Sequence, residues 1–150
     1  IFALAPILTL WLGYGLLSKI VMTIIIIYFP ITLSFYEGLK VTSTQMLDLA
    51  QTMRASKNTI LLYLRIPYAL PQLASGLKLG AVFAPMGAVI SEWIGASNGL
   101  GYLMLYANGK LQIDLLFASV ILISLITISL YSSVSRILDY AIHWKKISFS

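Results

Sequence analysis

Ile113–Leu138, IDLLFASVILISLITISLYSSVSRIL, carries charge only at Asp114 and Arg136. About 20 apolar residues suffice for a helix to cross the roughly 30 Å hydrocarbon core of a bilayer, so this run reads as a membrane-crossing helix. A strand is excluded, because period-two alternation is missing and the run far exceeds the roughly 10 residues of a barrel strand. Its Ser and Thr hydroxyls can bond to their own backbone or across a helix interface. Asp114 opens the run near a helix N-terminus, where the peptide dipoles favour a carboxylate.

Working back from this run, the same texture recurs three times. Leu73–Ile94 carries Gly76, Gly80 and Gly87 with Ala74, Ala81, Ala84 and Ala88, small residues whose helical spacing lets a neighbouring helix approach closely. Ile20–Tyr36 is long enough to cross most of a bilayer, with a kink expected at Pro30. Ile1–Leu17 contains Pro6, Gly13 and Gly15 and reads as kinked or incomplete. The chain as a whole is 59% hydrophobic and 10% charged, with a mean hydropathy of +0.92. A soluble domain of this size cannot bury so much apolar surface. The expectation is an all-α, polytopic membrane protein with about four crossings. It opens on Ile1, inside an apolar run and without a charged leader, and so reads as an N-terminally truncated fragment forming a single transmembrane domain over residues 1–150.

Charge orients the crossings and excludes other classes. The net charge is +5, but no basic run carries interleaved stacking aromatics outside the apolar segments, which argues against a nucleic-acid binder. With residues 37–73 placed inside the cell, the inner intervals collect Lys40, Arg54, Lys57, Arg65, Lys78, Arg136, Lys145 and Lys146, against Lys19 and Lys110 outside. That is the bias of the positive-inside rule. The tail HWKKIS, with His143 and Trp144 beside two lysines, reads as an anchor at the inner interface. Cysteine is absent, and no His, Asp or Glu cluster has metal-ligand spacing. The acidic residues Glu37, Asp48, Glu92, Asp114 and Asp139 are scattered, so no catalytic cluster, metal or bound cofactor is expected. GASNGLG lacks the following Lys and Ser/Thr of an ATP-binding loop.

The polar island Asp48–Pro67, DLAQTMRASKNTILLYLRIP, interrupts the apolar runs. Met46, Leu49, Ala50 and Met53 fall three or four apart on one helical face, while Gln45, Asp48, Gln51 and Thr52 take the other. Ser56 is placed to cap a second short helix running through Ile60, Leu61 and Leu64, which Pro67 is expected to end.

These residues resemble the EAA motif of ATP-binding-cassette importer permeases: Asp48-Leu49-Ala50 at the opening and Leu64-Arg65-Ile66-Pro67 at the close. Ala69-Leu70-Pro71 and Gly76-Leu77-Lys78 look like the branch that imports nitrate, sulfonates, taurine and thiamine precursors, as do ALAPILTLWLGYGLLSKI near the start and SEWIGASNGLGYLM at 91–104. The resemblance covers nearly all of the chain. It implies a type I importer permease fold in the inner membrane, with the loop over residues 45–67 as a cytoplasmic coupling hairpin docked on an ATPase subunit. Met46, Asp48, Leu49, Ala50, Met53, Arg54, Ala55, Lys57, Ile66 and Pro67 would form that contact. ATP would be used by the partner, not by this chain. The further partners implied are an extracytoplasmic solute-binding protein and a second permease copy.

One position departs from the motif, since Arg54 stands where the family carries glycine. Glycine there permits a sharp turn with positive φ. Two readings stay open at the level of sequence: a turn that needs no positive φ, or looser docking.

Candidates for the translocation path are Tyr28, Met86, Ser91 and Glu92, polar or adaptable residues within spans. Glu92 is an ionisable residue at membrane depth; it either reaches interfacial water beside Trp93 or serves gating. The glycine-rich segment 95–112 reads as a re-entrant loop or a short helix at the outer mouth. By resemblance, YLMLYANGKLQIDLLFA points to a thiamine pyrimidine precursor as solute, with an alkanesulfonate, taurine or nitrate as alternatives. A membrane anchor or scaffold subunit would explain the hydropathy but not the spaced DLA…RIP pattern.

Overall fold

A computed structural model describes residues 5–142, and every regular element among them is helical. In chain order these are α1 (Ala5–Leu12), α2 (Leu16–Lys40), α3 (Thr44–Thr52), α4 (Lys57–Ile60), a π-helical turn (Leu61–Arg65), α5 (Ile66–Gly95), α6 (Leu100–Gly109) and α7 (Ile113–Ala141). The basic tail that includes His143 and Trp144 lies outside the described residues.

Three helical stretches are long and apolar enough to cross a membrane: Leu16–Lys40, Lys57–Gly95 and Ile113–Ala141. Of the first apolar run, eight described residues form α1, about 12 Å of helix and short of a bilayer, while Leu16 and Leu17 open α2. It stops because Gly13 takes a φ of +76°, outside the helical region. α2 continues through Pro30 without a break.

Small residues set the packing. α5 lies along α2, and the contact is built around glycines rather than large side chains. A Cβ on Gly76 would come within 2.7 Å of the Ser34 Cβ, and one on Gly38 within 2.8 Å of the Gln72 Cβ. Gly80 and Gly87 meet Ile31, Ile26 and Thr23 at ordinary contact or closer. Without a hydrophobic drive between helices in lipid, such close approach and its dispersion energy are what hold two spans together. Among the described residues the buried apolar ones are accordingly few and small: Ala5, Ala69, Ala74, Ala81 and Ala107, with Met22 as the large exception. Large apolar side chains such as Ile24, Phe29, Phe117, Ile121, Leu125 and Ile128 face outward, as a chain solvated by hydrocarbon requires.

The expected helix stop at Pro67 does not occur. Lys57–Gly95 forms one helical stretch of 39 residues that passes through Pro67, Pro71 and Pro85. The π-helical turn just before Pro67 explains the first passage: the Ile66 N–H donates to the Leu61 carbonyl, five residues back. A wider turn relieves the clash between a proline ring and the preceding carbonyls, and proline lacks the N–H that an ordinary turn would use. Pro67 therefore sits inside the helix that becomes the membrane span.

Candidate functional site

The polar island folds as a helical hairpin whose turn is specified residue by residue. α3 ends with the Ala55 N–H donating to the Ala50 carbonyl at 3.0 Å, and the Met53 N–H to the Leu49 carbonyl at 3.1 Å. The six-to-one bond is the mark of a Schellman ending, which needs a left-handed residue at the position before its donor. That residue is Arg54, with φ +55°. The turn does require positive φ, and arginine adopts it where glycine would do so without a Cβ penalty. Ser56 then caps α4, as its sequence position predicts: its hydroxyl oxygen accepts the Thr59 N–H at 3.2 Å.

The hairpin leaves its apolar face uncovered. Met46, Leu49 and Met53 are 38%, 63% and 76% exposed. Asp48, Arg54 and Lys57 are exposed beside them, and Ala50, Ala55 and Ile66 are half-buried. Between the two arms, Leu47, Lys57, Asn58, Ile60, Leu61 and Arg65 line a cavity of about 400 Å³. The second arm is not a separate helix but the extension of α5, so a push on the hairpin bears directly on a membrane span. At 1.5 Å per residue, the Lys57–Gly95 stretch is about 58 Å long, well over the roughly 30 Å hydrocarbon thickness.

At the opposite end of α5 the chain is clamped. Glu92 accepts the Gly101 N–H at 2.6 Å, satisfying one of the unpaired donors at the start of α6. The Trp93 indole N–H donates to the Gly101 carbonyl at 3.1 Å, and the Lys19 ammonium to the Asn98 carbonyl at 3.3 Å. A Cβ on Gly95 would overlap the Tyr14 ring. The glycine-rich segment is thus a short helix, α6, held against α5 and the α1–α2 junction. Glu92 takes part in this clamp, and the spacing of Gly99 and Gly101 after SEWIG was the available signal for it.

The remaining path candidates are dispersed. Tyr28 and Met86 are 65% and 56% exposed. Ser91 is buried, lies one turn beyond Gly87 on the face that packs α2, and donates its hydroxyl to the Ala88 carbonyl at 2.7 Å. Met86 and Trp93 line an open cavity of about 580 Å³ between α5, α6 and α7, together with Met104, Ser124 and Thr127. Glu92 borders a neighbouring cavity of about 320 Å³ with Pro85, Leu100 and Ile126. Towards the other end of α5, the Lys78 ammonium pairs with Asp139 of α7 at 2.7 Å, a contact that the sequence reading did not foresee. No cluster of His, Cys, Asp or Glu suited to a metal occurs among the described residues.

The family described as "Binding-protein-dependent transport system inner membrane component" matches residues 1–145. The chain belongs to this family. A probable ABC transporter permease protein of Haemophilus influenzae is 50% identical over 138 residues, covering 92% of this chain and 56% of the relative. The formylaminopyrimidine transport permease of Halalkalibacterium halodurans is 35% identical over 146 residues, 97% of this chain and 58% of that protein. The taurine transport system permease of Escherichia coli is 31% identical over 124 residues, 83% of this chain and 45% of that protein. The chain spans about half the length of the curated relatives it matches. No solved structure matches it significantly. Membership fits an all-helical integral membrane component of an ABC importer, the class the Asp48–Pro67 motif resembles.

Proposed function

We propose that this chain is the coupling and path-forming part of the permease subunit of an ABC importer. It performs no covalent chemistry. A cytoplasmic ATPase subunit docks on the hairpin over residues 45–67, a solute-binding protein delivers solute from the other side, and a second permease copy completes the path. The observation that carries this reading is the uncovered face of Met46, Leu49 and Met53 on a hairpin continuous with a membrane-spanning helix. Closure of two ATPase subunits is a rigid-body movement, and the Lys57–Gly95 stretch is a lever that conveys it into the membrane. Alternating access then exposes a midplane path to each side in turn.

The solute we favour is a pyrimidine precursor of thiamine. The cavities between α5, α6 and α7 are walled mainly by Val, Ile and Ala, with Met86, Trp93, Ser124 and Thr127 among them and Glu92 at one edge, and no Lys or Arg lines them among the described residues. Such a lining suits an uncharged ring better than a sulfonate, whose charge would be desolvated without a partner. The 31% identical taurine permease keeps an aminosulfonate as the alternative.

The test uses the full-length permease, reconstituted with its ATPase and binding protein. Leu49→Asp or Asp48→Lys should leave membrane insertion intact while uncoupling ATP hydrolysis from uptake; full transport in either variant sinks the coupling role. A thermal-shift screen of the binding protein against formylaminopyrimidine and taurine decides the solute.

A further inference from the structure

Arg54 holds a backbone conformation that costs a residue with a Cβ about 1–2 kcal/mol relative to a right-handed one. Nothing inside the chain compensates for it: among the described residues the guanidinium makes no ion pair or hydrogen bond, and the side chain is exposed. It stands beside Met53, which is 76% exposed, and three residues before Lys57, which is exposed as well. The tip of the hairpin is therefore cationic around an apolar knob.

The tip stands beyond the packed part of the helix pair. The contact of α2 with α5 runs past Gln72 to Ala69, and α2 also touches the π-helical turn over Leu61–Arg65. Lys57 lies eight residues beyond Arg65 on the same helical stretch, about 12 Å at 1.5 Å per residue. The polar layer of a bilayer leaflet is only about 5–8 Å deep.

We infer that Arg54 is a partner-recognition residue, whose guanidinium pairs with a carboxylate on the cytoplasmic ATPase subunit at the rim of the pocket that takes Met53. This rests on the coupling role proposed above. A planar fork of donors suits a bidentate carboxylate contact, which lysine cannot reproduce, and Arg is a frequent anchor of interfaces. The contact would set which ATPase fits this permease, since a charge pair selects partners through complementarity and makes association sensitive to salt.

The experiment titrates the cognate ATPase subunit onto the full-length permease in lipid nanodiscs, at low and high salt, with and without phosphatidylglycerol. Arg54→Gly should raise thermal stability by removing the strain, yet weaken ATPase binding roughly tenfold and flatten its salt dependence. Arg54→Lys should stay weakened. Leu111 provides the internal control: it too has positive φ, at +54°, in the turn after α6. Leu111→Gly should raise stability and leave ATPase binding unchanged. Arg54→Gly binding as the wild type does overturns the inference, as does a loss seen only in discs with phosphatidylglycerol, which would make Arg54 a lipid contact. Leu49→Asp separates the two readings. If it abolishes binding while Arg54→Gly does not weaken it, only the Arg54 assignment fails; if Leu49→Asp leaves binding intact, the docking role of the hairpin fails.

Discussion

The Glu92 carboxylate accepts the Gly101 N–H at 2.6 Å and fills the space that a Cβ on Gly99 would need. One side chain thus fixes two glycines of the glycine-rich segment 95–112. Gly99 has φ +122°, open only to glycine, so Gly99→Ala meets backbone strain and a collision together. It should release α6 from α5 or prevent folding. Glu92→Gln keeps an acceptor oxygen and should fold, whereas Glu92→Ala leaves the α6 donor unpaired and should lose about 1 kcal/mol. Trp93 emission, read with Trp11 and Trp144 replaced by Phe, should shift in Glu92→Ala and not in Glu92→Gln. Identical spectra in all three proteins would remove the clamp.

Lys78 and Asp139 tie α5 to α7, and Ser135 donates a further hydrogen bond to Asp139 at 3.2 Å. Lys78 is only a quarter exposed, so losing its partner costs more there than at a surface lysine. Lys78→Ala and Asp139→Ala should each lower the melting temperature in detergent. The exchanged pair, Lys78→Asp with Asp139→Lys, should recover at least half of the loss. Additive losses without recovery would show that each residue acts alone.

The glycine seam between α2 and α5 should be the least forgiving surface of the molecule. A Cβ at Gly76 meets the Ser34 side chain and the Ile31 Cα, the latter at 3.1 Å. Backbone cannot yield as a flexible side-chain tip would, so Gly76→Val should cost on the order of 2–3 kcal/mol or abolish the fold. Gly109, with nothing within 4 Å, is the matched control, and Gly109→Ala should be tolerated. Comparable yields of folded Gly76→Val and Gly109→Ala protein would refute the packing argument.

How much of this was legible in the sequence follows from what each feature depends on. Hydropathy and helical period are local, so the three spans, the apolar face of Met46–Leu49–Met53 and the Ser56 cap could all be read from neighbouring residues. Gly76, Gly80 and Gly87 declared a packing face, though not that α2 would be the partner. Pro67 misled because the π-helical turn over Leu61–Arg65 accommodates its ring, an adjustment with no residue signature of its own. The Lys78–Asp139 and Glu92–Gly101 contacts join residues brought together by the fold, so spacing alone hid the first and only partly exposed the second. Arg54 shows the reverse: the sequence marked the anomaly, and only the backbone revealed that its turn still requires positive φ.

Orientation is open to direct measurement, because the sequence contains no cysteine. Single cysteines placed in the full-length permease, at positions where that protein is likewise made cysteine-free, report which side each segment faces. Asn58 on the hairpin and Asn108 on α6 are both exposed, and only their backbone carbonyls take part in helix capping, which a cysteine retains. The charge bias predicts the hairpin inside and α6 outside. Asn108→Cys should therefore react with a membrane-impermeant maleimide in intact cells, and Asn58→Cys only once the membrane is opened. The reverse pattern would put the hairpin out of reach of any cytoplasmic ATPase, and the coupling role would fall with it.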